Sequence, residues 1–436
     1  MAHVIPARSG RTPAHAARLT LSGGCDTLAR MHRPPKTIIF VGDGMADEPL
    51  ASLGGRTPLQ RARTPAMDSI ARAGRSGTLL TLPNGFATSS EVANMSVLGC
   101  DLATEYCGRG PLEAAGRGIP LGPDDKAFRV NLTTVRDGIL RDFSGGHVAQ
   151  ADAAALIEEL NLRFGGPGIR FYPGVSYRNI LVLSGAEYSA CVKTEKPDDN
   201  HGEAVAAHLP SAAAPEAEAT VQLLRAMIRD ATAALEPHPV NRRLATEGKP
   251  LANGIWPWSG GAAGALRRLQ AKWGVTGAVI SAVDVIVGLG RCLGMDVIPV
   301  PGATGYIDTN YEGKADAAVQ ALQTHDMVYV HLEAIDEVSH EQNLERKIEA
   351  IENFDRRIIQ RVLDAVGPEV TLAVLPDHPV PIALGKHTRT PVPVSVRMQG
   401  VAPDGVTAFS ESDCRQGALG ELRGDGLMRL LFGPPR

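Results

Sequence analysis

Aromatic side chains make up only 4% of this 436-residue chain. That leaves little with which to stack nucleic-acid bases. No apolar run reaches the roughly 18–20 residues that a membrane-spanning helix needs. Excess charge of one sign is missing as well: Lys+Arg number 44 against 48 Asp+Glu, a formal net charge of −4. A general nucleic-acid or anionic-membrane surface is therefore excluded. The six cysteines (Cys25, Cys100, Cys107, Cys191, Cys292 and Cys414) contain no CxxC pair, and they read as reduced thiols of a cytoplasmic protein. A Gly-rich nucleotide loop of the P-loop kind is also absent, which counts against ATP use.

What is present is length for two domains. Strand–helix alternation at both ends, with an α+β middle, predicts a doubly wound α/β core interrupted by an insertion. The expected boundaries are a core of 36–103 plus 269–436, an inserted α+β domain over 104–268, and a disordered extension over 1–35. That extension is Arg-rich with Asp26 its single acidic residue, and Met31 reads as the opening of the domain itself. In the middle, Asp137-Gly138 marks a hairpin between 127–135 and 138–146. The run 171–185 supplies a strand with Tyr177 and Arg178 at its start. The stretch 238–261, carrying Asn241, Arg242, Arg243, Asn253, Trp256 and Trp258, reads as a long irregular loop of functional composition.

The rest of the chain is organised around TLAVLPDHPVPIALGKH (371–387). An apolar run ends at Pro376, and Asp377 and His378 follow at the strand's C-terminal end, where α/β sheets bind ligands. His387 lies nine residues on. One strand earlier, VYVHLEAIDEVSH (328–340) repeats the pattern with Asp336 and His340 at i, i+4. A spacing of this kind is met on many helix surfaces. Two such strand-end pairs with a third histidine nearby make a donor set for a Zn²⁺ or Mn²⁺ pair. Near the other end of the chain, TIIFV (37–41) runs into Gly42-Asp43-Gly44, placing a carboxylate at the edge of the first strand. In SSEVANMSVLG (89–99), Ser89 and Ser90 precede an apolar-periodic helix. That is helix-capping chemistry, and it is equally a hydroxyl at a helix N-terminus, where a phosphate is favoured.

In this order the motifs resemble the archaeal-type, cofactor-independent phosphoglycerate mutases of the alkaline phosphatase superfamily. The resemblance covers 36–436 and is carried by IIFVGDGMADEPL, SSEVANMSVLGCD, GRGPLEAAGRGI, FYPGVSYRNILVL, HPVNRR, GATGYIDTNYEGKA, IDEVSH, PDH and GKHTRTPVP. It implies two divalent metal ions, Mn²⁺ foremost with Mg²⁺ or Zn²⁺ as alternatives. One would be held by Asp43, Ser90, Asp377 and His378, the other by Asp336, His340 and His387. Ser90 would be the nucleophile, forming a phosphoserine. The substrate is expected to be a small phosphorylated carboxylate, gripped through Arg178, Arg243 and Asn241. Related sequences carry a lysine where Val287 stands, and Lys314 or Lys386 is expected to serve in its place. Cys100, in the place of a usual tyrosine, and KTEKPDDNHG (193–202) also depart from the family pattern. The alternatives these departures raise are a mutase for a phosphonate-bearing glycerate and a homoserine-kinase-like phosphotransferase.

Overall fold

The computed structural model describes residues 34–262, 264 and 266–436; the expected N-terminal extension falls almost wholly outside the described residues. The described residues form fifteen strands. The first, β1 (Thr37–Gly42), is buried at every position, and β2 spans Arg75–Leu80. A second group comprises β3 (Asp125–Arg136), β4 (Ile139–Asp142), β5 (Ile169–Val175), β6 (Arg178–Ser184), β7 (Val192–Lys193), β8 (Ser211–Ala212) and β9 (Gly254–Ala262). The last are β10 (Gly277–Ile280), β11 (Asp296–Val297), β12 (Met327–Leu332), β13 (Thr371–Leu375), β14 (Val392–Arg397) and β15 (Gly420–Arg423).

Eight strands form the core sheet in the order β11-β10-β12-β1-β13-β14-β2-β15. From β11 to β13 all neighbours run parallel, while β14 is antiparallel to both β13 and β2. Because both faces are covered, β1, β12 and β13 are continuous apolar runs rather than alternating ones. Side chains still divide by period two. Ile38, Phe40, Val328, Val330, Leu372 and Val374 pack against the helices Pro65–Ala73, Tyr311–Thr324 and Leu344–Asn353. Ile39, Val41, Tyr329, Ala373 and Leu375 face the helices Ser90–Val97, Asp284–Cys292 and Gly426–Phe432. The doubly wound α/β class expected from the sequence is the one observed.

The helix Pro65–Ala73 begins at its proline as expected. Its first free N–H groups are satisfied from elsewhere in the chain: Ala66 and Met67 donate to the Asp355 carboxylate at 3.2 and 2.8 Å. Asp355 lies in a π-helical turn, Phe354–Ile359, inside the long helical segment that precedes β13.

The second sheet runs β4-β3-β6-β5, with β9 also paired to β3, and all its pairings are antiparallel. The hairpin between β3 and β4 turns at Asp137 (φ 54°) and Gly138 (φ 71°), the two positive φ values that a two-residue turn requires. The strand expected to start at Tyr177 and Arg178 is β6, and the strand before it, β5, went unread; the two meet at a tight turn with Ser176 at φ 53°. One expectation is corrected here. The stretch 238–261 is not an irregular loop. Pro239 opens a helix, Pro239–Thr246, capped by His238, and Gly254–Ala262 is strand β9. In that strand Ile255 joins one buried cluster while Trp256 and Trp258 join another, so alternation survives under the glycines and prolines that disguise it.

Candidate metal centre

Three neighbouring strands, β12, β1 and β13, end at the same edge in register, with Gly42 beside Leu332 and Val41 beside Leu375. Parallel strands lie about 4.8 Å apart, so the residues that follow them must converge. Asp43 follows β1, and Asp377 and His378 follow β13. Asp336 and His340 stand on the short helix Ala334–His340 after β12. The turn that carries Asp43 depends on Gly44 (φ 65°): a Cβ there would lie 2.8 Å from Asp336 Cα. Its N–H donates to Asp377 Oδ1 at 3.2 Å, and the His378 N–H donates to the same oxygen at 2.7 Å.

All seven metal-site residues expected from the sequence meet here. Asp43, Asp377 and His378 form one donor group, and Asp336, His340 and His387 a second. His378 Nε2 lies 3.3 Å from Asp43 Oδ1 and 3.1 Å from Ser90 Oγ. Asp336 lies 3.3 Å from His340 Nε2 and 3.4 Å from His387 Nε2. The His378 and His387 rings stack at 3.8 Å, joining the two groups.

The electrostatics fit cations. Burial pushes the Asp43 carboxyl well above its usual range, and the Asp377 and Asp336 carboxylates push it further. Burial likewise raises Asp377. Asp336 goes the other way: its burial is outweighed by the His340 and His387 imidazoles beside it. Burial lowers His378 to about 3 and His331 to about 4, so both are neutral imidazoles at ordinary pH. Asp43 Oδ1, Asp336 Oδ1 and the Nδ1 atoms of His378 and His387 are buried without a hydrogen-bond partner. Such orphans are costly unless something else satisfies them, and a divalent cation in each group would satisfy the two carboxylate oxygens. A donor set of carboxylate oxygens and imidazole nitrogens without thiolate suits Mn²⁺, Mg²⁺ or Zn²⁺. His340 Nδ1 is bonded to the Gly385 carbonyl at 2.8 Å, which turns Nε2 toward Asp336 and His387, where it would meet a metal.

The expected substrate-binding residues divide. Arg178 is exposed, lies over the Tyr177 ring at 4.5 Å, and pulls down the Glu337 carboxyl that burial and Asp336 raise. Its guanidinium is held by that ring contact and, among the described residues, by no carboxylate. Arg243 is engaged by Asp152 at 2.6 Å and Glu247 at 3.2 Å. Asn241 is a correction: fully buried, its amide bonds the Leu235 and Ala252 carbonyls and accepts the Ala252 N–H. It holds the chain between helix and strand and has nothing left for a ligand. Lys314 is buried beneath the site, its Nζ donating to the His331 carbonyl at 3.0 Å, with burial lowering it to about 8.

Other contributors went unread in the sequence. His331, the one imidazole within an apolar strand, places Nε2 3.2 Å from Asp43 Oδ2; its polarity in a buried run was the available signal. Arg109 links Glu113 (2.8 Å) to Glu91 (3.6 Å), the residue after Ser90. Arg129, nearly buried, lies 4.1 Å over the Trp258 ring and 3.1 Å from Glu113. Neither arginine had a local pattern to betray it.

A family model, the Metalloenzyme superfamily, matches residues 35–434. A Methanosarcina acetivorans protein named 2,3-bisphosphoglycerate-independent phosphoglycerate mutase is 46% identical over 400 residues, covering 91% of this chain and 99% of that one. A Geobacter sulfurreducens protein, named a probable enzyme of the same kind, is 44% identical, with 91% and 99% covered. Among solved structures, a cofactor-independent phosphoglycerate mutase from Thermoplasma acidophilum is 28% identical with a TM-score of 0.66, covering 91% of this chain and 98% of its own. A Pyrococcus horikoshii protein reaches a TM-score of 0.78 at 29% identity, with 92% and 97% covered.

Proposed function

The chain belongs to the metalloenzyme superfamily and, within it, to the 2,3-bisphosphoglycerate-independent phosphoglycerate mutases, and from that premise we propose how its residues carry the reaction. Ser90 is the nucleophile. Its oxygen attacks the phosphorus of 3-phosphoglycerate, the bond to the 3-oxygen breaks, and a phosphoserine forms. The glycerate turns without leaving, and its 2-hydroxyl oxygen attacks the phosphoserine, releasing Ser90. Two divalent cations bound at the two donor groups, Mn²⁺ foremost, would supply charge neutralisation at the phosphoryl oxygens and a lowered pKa for the Ser90 hydroxyl.

The observation that carries this reading is the position of Ser90. It is the first residue of its helix, with Oγ 3.1 Å from His378 Nε2. There the helix's free N–H groups and dipole favour phosphate on the same oxygen. Residues 104–268 are taken as the substrate-binding insert, with Arg178 binding the carboxylate bidentately. A cytoplasmic setting belongs to the same proposal and is supported by the free thiols of Cys100, Cys107, Cys191, Cys292 and Cys414.

The test is incubation with Mn²⁺ and 3-phosphoglycerate, coupled to enolase, with homoserine plus ATP as a second arm. Phosphoenolpyruvate is expected in the first arm and no phosphohomoserine in the second. Ser90→Ala is expected to abolish turnover while the six remaining ligands keep metal bound; substantial turnover in that variant refutes the phosphoserine. Arg178→Ala is expected to raise KM at least about tenfold, the loss of one charged hydrogen-bonding group. Arg243→Ala should leave KM unchanged, and equal effects of the two would refute the division between them.

A further inference from the structure

Behind Ser90 lies a buried chain of polar groups that the reaction as written does not use. Asn94, Tyr329 and Asp377 are each fully buried. Asn94 Nδ2 donates to the Ser90 carbonyl at 2.8 Å and to Asp377 Oδ2 at 2.8 Å, and the Tyr329 hydroxyl donates to Asn94 Oδ1. The orientation of the amide is forced. A carbonyl and a carboxylate only accept, so both protons of the NH₂ must face them, and Oδ1 must take the tyrosine proton. With Asp377 Oδ1 occupied by the Gly44 and His378 N–H groups, every hydrogen bond around this carboxylate is fixed in direction.

We propose that Asn94, locked by Tyr329, is the positioning residue that sets the Ser90 nucleophile against the Asp377–His378 donor pair. The inference rests on the reading of Ser90 as nucleophile. Among the described residues the amide is the one side chain that bonds both partners: the backbone of the attacking residue, and the carboxylate next to the imidazole that Ser90 Oγ meets. Apart from Ser96 Oγ, which donates to the Thr81 carbonyl just past β2 at 2.7 Å and far from the β1–β13 edge, helix Ser90–Val97 otherwise touches the sheet through apolar side chains such as Val92 and Met95. Those contacts resist separation of helix and sheet, but they resist sliding weakly, since apolar attraction has no direction. The hydrogen bonds of Asn94 supply the direction. A displacement of about 1 Å at a reacting group costs about a hundredfold in rate, so this small bridge has kinetic weight.

The experiment uses the full-length Mn²⁺-loaded enzyme with Asn94→Leu, Tyr329→Phe, the double variant and Ser90→Ala. Leucine is nearly isosteric with asparagine and keeps the apolar packing. Asn94→Leu should lower kcat about a hundredfold with KM within threefold, and should weaken Mn²⁺ binding about tenfold, as loss of a ligand's hydrogen-bonding partner does. Tyr329→Phe, the milder change and the safeguard should Asn94→Leu fail to fold, should lower kcat about tenfold. The double variant should be no slower than Asn94→Leu, because tyrosine acts only through the amide. A crystal structure of metal-free Tyr329→Phe should show Ser90 Oγ displaced from His378 Nε2. Parental kcat in both single variants beside an inactive Ser90→Ala would overturn the positioning role and leave the nucleophile standing. Multiplying effects in the double variant, or a KM rather than a kcat defect, would also overturn it. Turnover by Ser90→Ala would instead overturn the nucleophile assignment.

Discussion

Lys347 and Asp47 form an ion pair at 2.8 Å in which neither side chain is exposed, and replacing the lysine by methionine measures what holds the metal loops together. The lysine Nζ also donates to the Val380 carbonyl at 2.8 Å, and Asp47 Oδ2 accepts the Ile382 N–H at 3.0 Å. The pair thus ties the chain leaving β1, just past Asp43, to the chain leaving β13, just past His378. At an effective dielectric of about 20 the two charges attract by about 6 kcal/mol. Desolvation offsets most of that gain, so the net worth of the intact pair is small. Removing one partner is different, because the other remains charged and buried. Lys347→Met is therefore expected to cost about 3–5 kcal/mol in urea unfolding at pH 7. Asp47→Asn added to it removes the stranded charge yet keeps an acceptor for Ile382. The double variant should accordingly recover at least about 2 kcal/mol of the loss. Loosened loops should also weaken Mn²⁺ binding about tenfold, read by titration of the refolded protein. A Lys347→Met protein within 1 kcal/mol of the parent, or strictly additive single variants, would refute the argument.

Gly44→Ala should weaken metal binding by at least about tenfold without changing the far sheet, because the added Cβ would meet Asp336 and the Val380 side chain at under 3 Å; unchanged Mn²⁺ affinity would show that the turn yields freely. Glu105 is held below the usual carboxylate range: burial would raise it, but Lys272 and the N–H groups of Asp101 and Arg267 prevail. A depressed carboxylate stabilises above its unfolded pKa and loses that contribution as pH falls through the folded one. Glu105→Gln should thus cost on the order of 2 kcal/mol at pH 7. The difference from the parent should shrink as pH drops from about 5 toward 3, and a difference constant with pH would count against the ion pair.

The candidate metal centre was legible in the sequence because its donor side chains sit at strand ends. In a parallel sheet buried on both faces, a polar residue directly after an apolar run has one place to go, the carboxyl edge, and Asp43, Asp377 and His378 all obey that rule. Asp336 and His340 needed only the helical i, i+4 spacing to share a face. The hairpin at Asp137-Gly138 was equally local, since its turn type is a property of those two residues.

Tertiary structure alone decided which polar groups were free to act. Asn241 and Arg178 look alike as candidates in the chain, yet one amide is used up by Leu235 and Ala252 while the other side chain stays exposed over the Tyr177 ring. Asn94, His331 and the Asp47–Lys347 pair gain their roles from partners up to 300 positions away. Local propensity carries no trace of such partners. A hydrogen bond's worth depends on what else its donor could reach, and that is settled only when the strands have taken their order.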